Sequence, residues 1–417
     1  MSLAIPRARI LNPGENSLYA IPVVAVSLFV FAYSTIWGQI SILVFYACWL
    51  PLLLLAPEIL LSHIRPVVFV LALPAVAVLS TLWSDATAVT LRASIQYATT
   101  VICGLIAARI VAVRDLTLGG LLGGFIILLY SHAEGKYGYD FVDASYAMQG
   151  AFQSKNQLGF YASLTTVFAF ATVVMSRVPM VLRLVALGIA AFALWTLVLS
   201  DSATSVLAMG AGLMTAAVVL GVMFITISSR AQSIVLLMCI VAGLVGLAIQ
   251  VGALDTIFMV FGKDSTLTGR TYLWSQGILY GERNPLVGLG YFAFWVHHRP
   301  EAEELWLEFY ITGRTGFHFH NTLIESYVAL GLTGVALVGA WTVALLGNTL
   351  RTLMNTRHHG AAAVCAALSL IFVIRSFVEI DFLTPYTAGS FLVPYLLLRM
   401  SDQRSAVVQP HYRPVWS

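Results

Sequence analysis

The sequence predicts an all-α polytopic membrane protein of about twelve transmembrane helices, with a large periplasmic loop between helices 9 and 10. Two compositional observations support this class: 59% of the residues are hydrophobic and only 10% are charged, and the mean hydropathy is +0.88. A third observation is that apolar runs of roughly 17 to 25 residues recur along the chain, each long enough to cross the hydrocarbon layer as a helix.

The apolar runs are separated by short polar segments, and each run predicts one membrane-spanning helix. The weakest separation is the break near residues 200–204, between the seventh and eighth runs. The twelve windows are 18–35, 39–56, 66–82, 89–108, 115–131, 156–176, 182–200, 203–227, 232–251, 321–349, 360–378 and 385–400.

The distribution of charge predicts the orientation. With the N-terminus in the cytoplasm, the inner segments hold thirteen of the 22 Lys and Arg residues but only four of the 19 Asp and Glu residues. This asymmetry follows the positive-inside rule, and an even number of spans returns the C-terminus to the cytoplasm. The net charge of +3 is an average over two unlike faces, so it gives no reason to expect a nucleic-acid partner.

The chain reads as a single membrane domain, 1–417, with two elaborations on the outer side, at 132–155 and 252–320. The segments between the spans contain no long charged or Gly/Pro-rich linker that would mark a second soluble domain. All four cysteines fall inside apolar runs, which predicts neither a disulfide framework nor a thiolate metal cluster. They are Cys48, Cys103, Cys239 and Cys365.

The polar segment at 252–325 is the predicted location of the active site. It contains TGRTYLW (268–274), NPLVGLGYFAFW (284–295) and HFHN (318–321). Arg270 and Arg314 each follow a glycine, where the backbone can admit a ligand, and guanidinium groups bind phosphates through paired, charge-assisted hydrogen bonds. The alternative is that this loop carries only interface anchors and a solvated charged helix at about 299–310.

Two histidines stand two residues apart just before the tenth run. His318 and His320 are followed by Asn321 and, one helical turn later, by Glu325. An imidazole titrates near neutrality, so it can take a proton from a sugar hydroxyl or orient that hydroxyl. A less favoured alternative is metal binding by His297, His298, His318 and His320 with nearby Glu, since no metal-ligand spacing such as HExxH supports it. We therefore expect neither a metal nor another cofactor.

The block from Thr268 through Gly288-Leu289-Gly290 to His318, His320 and Asn321, followed by LIESYVALGLTGVALV, resembles the bacterial O-antigen ligase and polysaccharide polymerase superfamily. The motifs cover about 80 residues. The resemblance implies a glycosyltransferase of the GT-C type that uses undecaprenyl-diphosphate-linked glycans at the outer face of the inner membrane. It also implies that Arg270 holds the donor diphosphate, that His320 activates or positions the acceptor hydroxyl, and that His318 and Asn321 support it.

A second motif, GAFQSKNQLGFYASL at 150–164, is similar to a Lys-Asn-x-Leu-Gly segment of exopolysaccharide polymerase-like members. Lys155 becomes a candidate for diphosphate and Asn156 for sugar, although the segment also reads as a simple helix start. Further on, Ala203 occupies the position where family members carry a basic residue. That departure leaves Lys155, Arg92 or Arg314 as candidates to replace the missing cation.

Ionisable residues near the outer ends of two spans give an independent indication. Arg92, Arg375 and Glu379 are costly in such places unless they are paired or face a wet cavity. Arg375 and Glu379 are four residues apart, so they could form a pair along one helix or line the acceptor side of the cavity.

Together these features favour polymerisation of undecaprenyl-diphosphate-linked repeat units into exopolysaccharide or O-antigen. The alternative within the superfamily is a ligase that transfers the glycan to lipid A-core. A transporter or flippase is a more remote alternative, because twelve spans with scattered charge also suit a carrier, although no matched pair of broken helices is evident. The expected partners are the lipid-linked glycan donor, a glycan or lipid A-core acceptor, the lipid bilayer, and flippase and chain-length regulator proteins.

Overall fold

A computed structural model describes residues 10–62, 64–140, 145–175, 178–222, 224–226, 229–233, 269–355 and 359–408. The predicted ninth span, 232–251, lies almost entirely outside the described residues. So does the first part of the predicted large loop, 252–268, which includes Thr268.

The described part of the chain is almost entirely helical, with one small β-hairpin. Eight helical segments in it are long and apolar enough to cross a membrane, which confirms an all-α polytopic membrane protein. The helices are α1 Ser17–Trp49, α2 Pro51–Leu55, α3 Glu58–Leu61, α4 Ile64–Leu79, α5 Thr87–Ile110, α6 Val113–Glu134, α7 Lys155–Val174, α8 Met180–Leu199, α9 Ala203–Val222, α10 Arg270–Gly281, α11 Pro300–Glu308, α12 Thr322–Asn355, α13 His359–Arg375 and α14 Ala388–Val408. A 3₁₀ turn, Ser80–Leu82, follows α4, and β1 Tyr137–Asp140 pairs antiparallel with β2 Ser145–Met148.

Helix α1 is a helical hairpin rather than one straight rod. Its backbone leaves the helical region at Tyr33 and at Gly38, where φ is 58°. The Tyr19 hydroxyl donates to the Cys48 carbonyl, although 29 residues of straight helix would separate them by about 43 Å. The two legs correspond to the two runs predicted at 18–35 and 39–56.

Helix α12 also reverses, at Gly331, where φ is 64° and ψ is −158°. A Cβ on Gly334 would lie 2.8 Å from the Ser326 carbonyl oxygen, whereas eight residues of straight helix would separate them by about 12 Å. The run at 321–349, predicted as one span, is therefore a short leg, 322–330, and a long leg, 332–355. The preceding loop fixes the reversal, because the Leu332 N–H donates to the Pro285 carbonyl at 2.7 Å.

Glycines on α6 allow three helices to approach closely. A Cβ at Gly119 or Gly123 would collide with the backbone of α1, and one at Gly120 or Gly124 would collide with side chains of α7. Small residues four apart are the usual means by which membrane helices pack without a hydrophobic driving force. Helix α6 is thereby fixed between α1 and α7, which carries Lys155 at its first position. Elsewhere α7 packs on α8, α9 on α13, and α5 on α14.

The site residues are carried by elements that meet at one end of this bundle, which we call the site end. It comprises the starts of α7, α10 and α12, the loop at 376–387 after α13, and the loop at 285–291. The 285–291 loop is bound to the short leg of α12, because Leu289 and Gly290 donate their N–H groups to Val328 and Ala329 at 2.9 Å. The reversal of α12 and this loop form one unit that sets where His320 lies.

We expect Gly331→Ala to destabilise the protein by about 2 kcal/mol or more. A Cβ there would lie 2.4 Å from the Leu286 carbonyl carbon, and the backbone would be left-handed at a non-glycine residue. The matched control is Gly339→Ala on the long leg, where a Cβ meets nothing within 4 Å and stability should be unchanged or raised by up to about 1 kcal/mol. Thermal unfolding in detergent measures both, and equal midpoints for the two variants would contradict the reversal.

Candidate functional site

The centre of the candidate site is the Glu379 carboxylate, in the loop after α13. Its side chain is only 9% exposed, and it is contacted from two other parts of the chain. Oε1 lies 3.4 Å from Nη2 of Arg270. Oε2 lies 3.4 Å from Nδ1 of His320 and 3.8 Å from Nε2 of His318. One carboxylate thus connects the arginine to both histidines, which are 48 and 50 residues further along the sequence.

Arg270 is the first residue of α10, and Gly269 before it takes the left-handed conformation, with φ of 80°. The guanidinium is anchored twice, because Nη1 donates to the Val378 carbonyl at 3.1 Å while Nη2 faces Glu379. Its side chain is 11% exposed. Arg270 is therefore oriented by the loop after α13 rather than extending freely into solvent.

The two histidines are held against one another. The His320 N–H donates to Nδ1 of His318 at 3.0 Å, and their ring centroids are 4.2 Å apart. His320 has φ of +49°, a conformation that costs free energy for a residue with a Cβ and that persists only where the surroundings enforce it. With Nδ1 facing Glu379, the His320 nitrogen left for a substrate is Nε2.

Asn321 and Glu325 support the histidine loop. Oδ1 of Asn321 accepts from the N–H groups of Leu323 and Ile324, which caps α12, and its Nδ2 donates to the Phe377 carbonyl at 3.0 Å. Glu325 accepts from the Phe319 N–H at 2.9 Å and from the Trp295 indole at 3.2 Å. The structure therefore gives both residues positioning contacts with the protein itself.

Arg375 pairs with a different carboxylate from the one considered in the sequence. The intrahelical pair with Glu379 is wrong, because α13 ends at Arg375 and the guanidinium makes two hydrogen bonds to Asp381. It also lies over the Phe160 ring, 4.1 Å from the centroid. Arg375 is 3% exposed and its Nη1 has no hydrogen-bond partner among the described residues. This second pair lies immediately behind Glu379 and joins the site to α7.

Burial and charge set the protonation states in the cluster. Burial, reinforced by the neighbouring His320, lowers the pKa of His318 to about 3. Burial alone would raise the pKa of Glu379, but the neighbouring His320 and Arg270 outweigh it and hold that pKa well below its usual range. His318 is thus neutral near pH 7, consistent with its Nδ1 accepting the His320 N–H, and Glu379 is an anion.

Lys155 and Asn156 begin α7 at the same end of the bundle. The Lys155 ammonium donates to the Ser145 hydroxyl at 2.6 Å and lies 3.7 Å from Asp201, two residues before Ala203. Asn156 accepts from the Ser202 hydroxyl at 3.0 Å. Lys155 therefore lies close to Ala203, where the family resemblance led us to expect a basic residue, and this makes Lys155 the best placed of the three candidate cations.

The other two candidate cations lie apart from the cluster. Arg314 forms a 3.0 Å ion pair with Glu303 of α11 and is 45% exposed. Arg92 is exposed on α5, and no hydrogen bond or ion pair joins it to the cluster within the described ranges. Among the residues that the structure describes, neither arginine has contacts that support the role considered for it.

His318, His320 and Glu379 also have the composition of a small metal site, with donor atoms within 4.8 Å of one another. Arg270 already supplies a positive charge to one oxygen of Glu379, which opposes a divalent cation at the same carboxylate. The expectation of a metal-independent site stays a prediction. Without a metal, this arrangement can bind an anion through the Arg270 guanidinium and a hydroxyl group through the adjacent His320 imidazole.

The sequence did not reveal the organising role of Glu379 or the pairing of Asp381. Both lie in the short EIDF segment after α13, and the only signal was their position near the end of an apolar run. The sequence also did not distinguish Phe160, whose ring contacts the Arg375 guanidinium, from the other apolar residues of α7.

Two sequence comparisons with known proteins show the family of this chain. The O-antigen ligase family matches residues 188–339, which contain Arg270, His318 and His320. Over 408 residues the chain is 44% identical to the exopolysaccharide production protein ExoQ of Rhizobium meliloti (strain 1021), covering 96% of this chain and 92% of that one. The fold and the site define a multi-pass membrane protein of the O-antigen ligase type. The chain belongs to the O-antigen ligase and polysaccharide polymerase family. Its similarity to ExoQ extends over almost the entire length of both proteins.

We expect acid to destabilise the site in the range set by His318. The folded state binds that proton only near pH 3, whereas an unfolded histidine binds it near pH 6.5, so the free energy of unfolding falls as the pH drops through this interval. His318→Gln keeps a hydrogen-bond acceptor but does not titrate. The thermal midpoint should therefore fall less for His318→Gln than for wild type between about pH 7 and about pH 5.

The control for this measurement is His297→Gln, at an exposed histidine of the same large loop. It should show the wild-type dependence on pH. Identical acid sensitivity of wild type and His318→Gln would show that His318 titrates normally in the folded protein.

Proposed function

We propose that this protein polymerises undecaprenyl-diphosphate-linked oligosaccharide repeat units into exopolysaccharide or O-antigen. The observation that carries the proposal is the convergence of Arg270, His318 and His320 on Glu379. The named function of the relative, exopolysaccharide production, and the Lys-Asn-x-Leu-Gly segment at the start of α7 favour polymerisation.

In the proposed reaction an acceptor hydroxyl attacks the anomeric carbon of the donor sugar. The bond from that carbon to the diphosphate oxygen breaks, and the undecaprenyl diphosphate leaves with the electron pair. Arg270, with Lys155 as the second cation, stabilises the developing negative charge as a metal ion would. Nε2 of His320 takes the hydroxyl proton, while Glu379 orients the imidazole and stabilises its protonated form.

The orientation supports a site at the periplasmic face of the inner membrane, with both termini in the cytoplasm. The far ends of three helices are bound by arginines: Arg183 donates to Met175, the residue after α7, Arg230 to Leu353 of α12, and Arg399 to Ala108 of α5. These arginines lie opposite the site end, and arginines concentrate on the cytoplasmic side of membrane proteins. A flippase that delivers the donor and a chain-length regulator are the partners that such a reaction requires or uses.

The match to the O-antigen ligase family supports a second candidate, transfer of the finished glycan to lipid A-core. Both candidates use the same donor and the same cluster and differ in the acceptor. The products formed in cells separate the two.

We expect His320→Ala and Arg270→Ala each to reduce glycan transfer at least about 100-fold, because they remove the proton acceptor and the cation facing the leaving group. The measurement is chain formation in a deletion strain complemented with each variant at matched membrane abundance. Single repeat units should accumulate on the lipid carrier. Matched controls are His297→Ala and Arg283→Ala, both exposed in the same loop, and both should retain activity. Arg283 pairs with Glu301 and lies over the Tyr280 ring, away from Glu379.

Two other outcomes would change the assignment. Long lipid-linked chains together with bare lipid A-core would identify a ligase, and wild-type activity of both site variants would reject the cluster as the site. Glycan transfer by the purified protein in the presence of EDTA tests metal independence, since activity should persist after the chelator is added.

A further inference from the structure

A polar cleft lies in the large loop beside the site, between α10 and α11. Its volume is about 520 Å³, within the range of about 300 to 1,000 Å³ usual for small-molecule sites. One wall is a face of α10 with side chains four residues apart, and the other is the equivalent face of α11 and the residues after it. The principal lining residues are Tyr272, Gln276, Tyr280, Glu304, Glu308 and Tyr310.

The cleft is not explained by packing of the loop. Tyr310 is 70% exposed and Tyr272 is 46% exposed, although large aromatic side chains are normally buried where they serve only stability. Tyr310 also has φ of +58°, so the backbone holds its ring at the cleft in a conformation that is unfavourable for a residue with a Cβ.

A row of aromatic rings connects the cleft to the site. Tyr272 stacks on Phe309 with centroids 6.4 Å apart, Phe309 contacts Phe317 at 5.3 Å, and Phe317 contacts His320 at 5.8 Å. Tyr272 is also only two residues after Arg270 on α10. A glycan with one hydroxyl at His320 would meet this row and then the cleft.

The chemistry of the lining fits a saccharide. Tyrosine rings offer flat apolar faces to the C–H face of a pyranose, and their hydroxyls, the Gln276 amide and the carboxylates offer hydrogen bonds to its hydroxyls. The two charged side chains in the lining are Glu304 and Glu308, and both are acidic. The Arg283 guanidinium over the Tyr280 ring is already paired with Glu301. An acidic sugar would be repelled, so the cleft selects a neutral one.

We propose that the cleft between α10 and α11 is a subsite for a neutral sugar residue of the acceptor glycan, beyond the unit that reacts at His320. This inference rests on the proposed function. The subsite would hold the growing chain between additions. Its loss should therefore shorten the polymer without preventing the first glycosidic bonds.

The test uses the full-length protein in nanodiscs and neutral oligosaccharides obtained from the host exopolysaccharide by partial hydrolysis. Binding is measured by saturation-transfer NMR titration. Tyr310→Ala and Gln276→Ala should each raise the Kd about tenfold or more, equivalent to about 1.4 kcal/mol. The same fragments bearing a carboxylate should bind wild type more weakly than the neutral ones, and Glu308→Gln should reduce that difference.

The matched control is Tyr146→Ala, at a tyrosine of β2 that is also 70% exposed. Alternation along the strand directs it away from the face on which Ser145 contacts Lys155. It should leave binding and polymer length unchanged. In cells, Tyr310→Ala should give shorter chains while the lipid-linked single unit is still consumed.

Equal binding by wild type and Tyr310→Ala, or wild-type chain length in that variant, would overturn the subsite. This outcome is distinguishable from failure of the proposed function. His320→Ala should still bind the fragments, so loss of polymerisation with retained binding supports the subsite. If His320→Ala polymerises normally while the cleft variants lose binding, the cleft is a saccharide site and the assigned reaction centre is wrong.

Discussion

The structure depends on one buried carboxylate that cannot be left unpaired. Removing an ionised group from water is costly unless opposite charges and hydrogen-bond donors replace the solvent. Glu379 obtains them from Arg270 and from His318 and His320, which reach it from two separate loops. The contacts that stabilise the Glu379 carboxylate therefore also bring Arg270, the proposed cation for the leaving group, next to His320, the proposed base for the acceptor hydroxyl.

The backbone around this carboxylate joins the same loops. The Thr322 N–H donates to the Ser376 carbonyl at 2.8 Å and its hydroxyl to the Glu379 carbonyl at 2.7 Å, so the start of α12 is fixed to the end of α13. The reversal of α12 at Gly331 makes this possible, because the short leg returns the chain to the 285–291 loop before the long leg continues through the bundle. The Arg375–Asp381 pair behind the cluster extends the same network to α7 through Phe160.

Hydropathy and charge spacing predicted the membrane class and brought attention to Arg270, His318 and His320, because apolar runs and isolated polar motifs are properties of local sequence. They did not predict the reversal at Gly331, because it is fixed by hydrogen bonds to a loop about 45 residues earlier in the sequence. They also did not separate the Glu379 contacts from the Arg375–Asp381 pair, because which carboxylate an arginine meets depends on where its helix ends. Arg92 and Arg314 were candidates because they carry a positive charge. The charge of a residue does not predict where its side chain lies relative to the site.

The most direct test of the central claim is a double-mutant cycle on glycan transfer with Arg270→Gln and Glu379→Gln, singly and together. If Glu379 couples the arginine to the histidines, the two losses should be non-additive by about 0.5 to 3 kcal/mol in activation free energy, because removing either partner already breaks the shared arrangement. A parallel cycle pairing Glu379→Gln with Arg283→Gln should be additive. Additivity to within about 0.3 kcal/mol for Arg270 and Glu379 would mean that the two residues act independently and that the carboxylate does not organise the site.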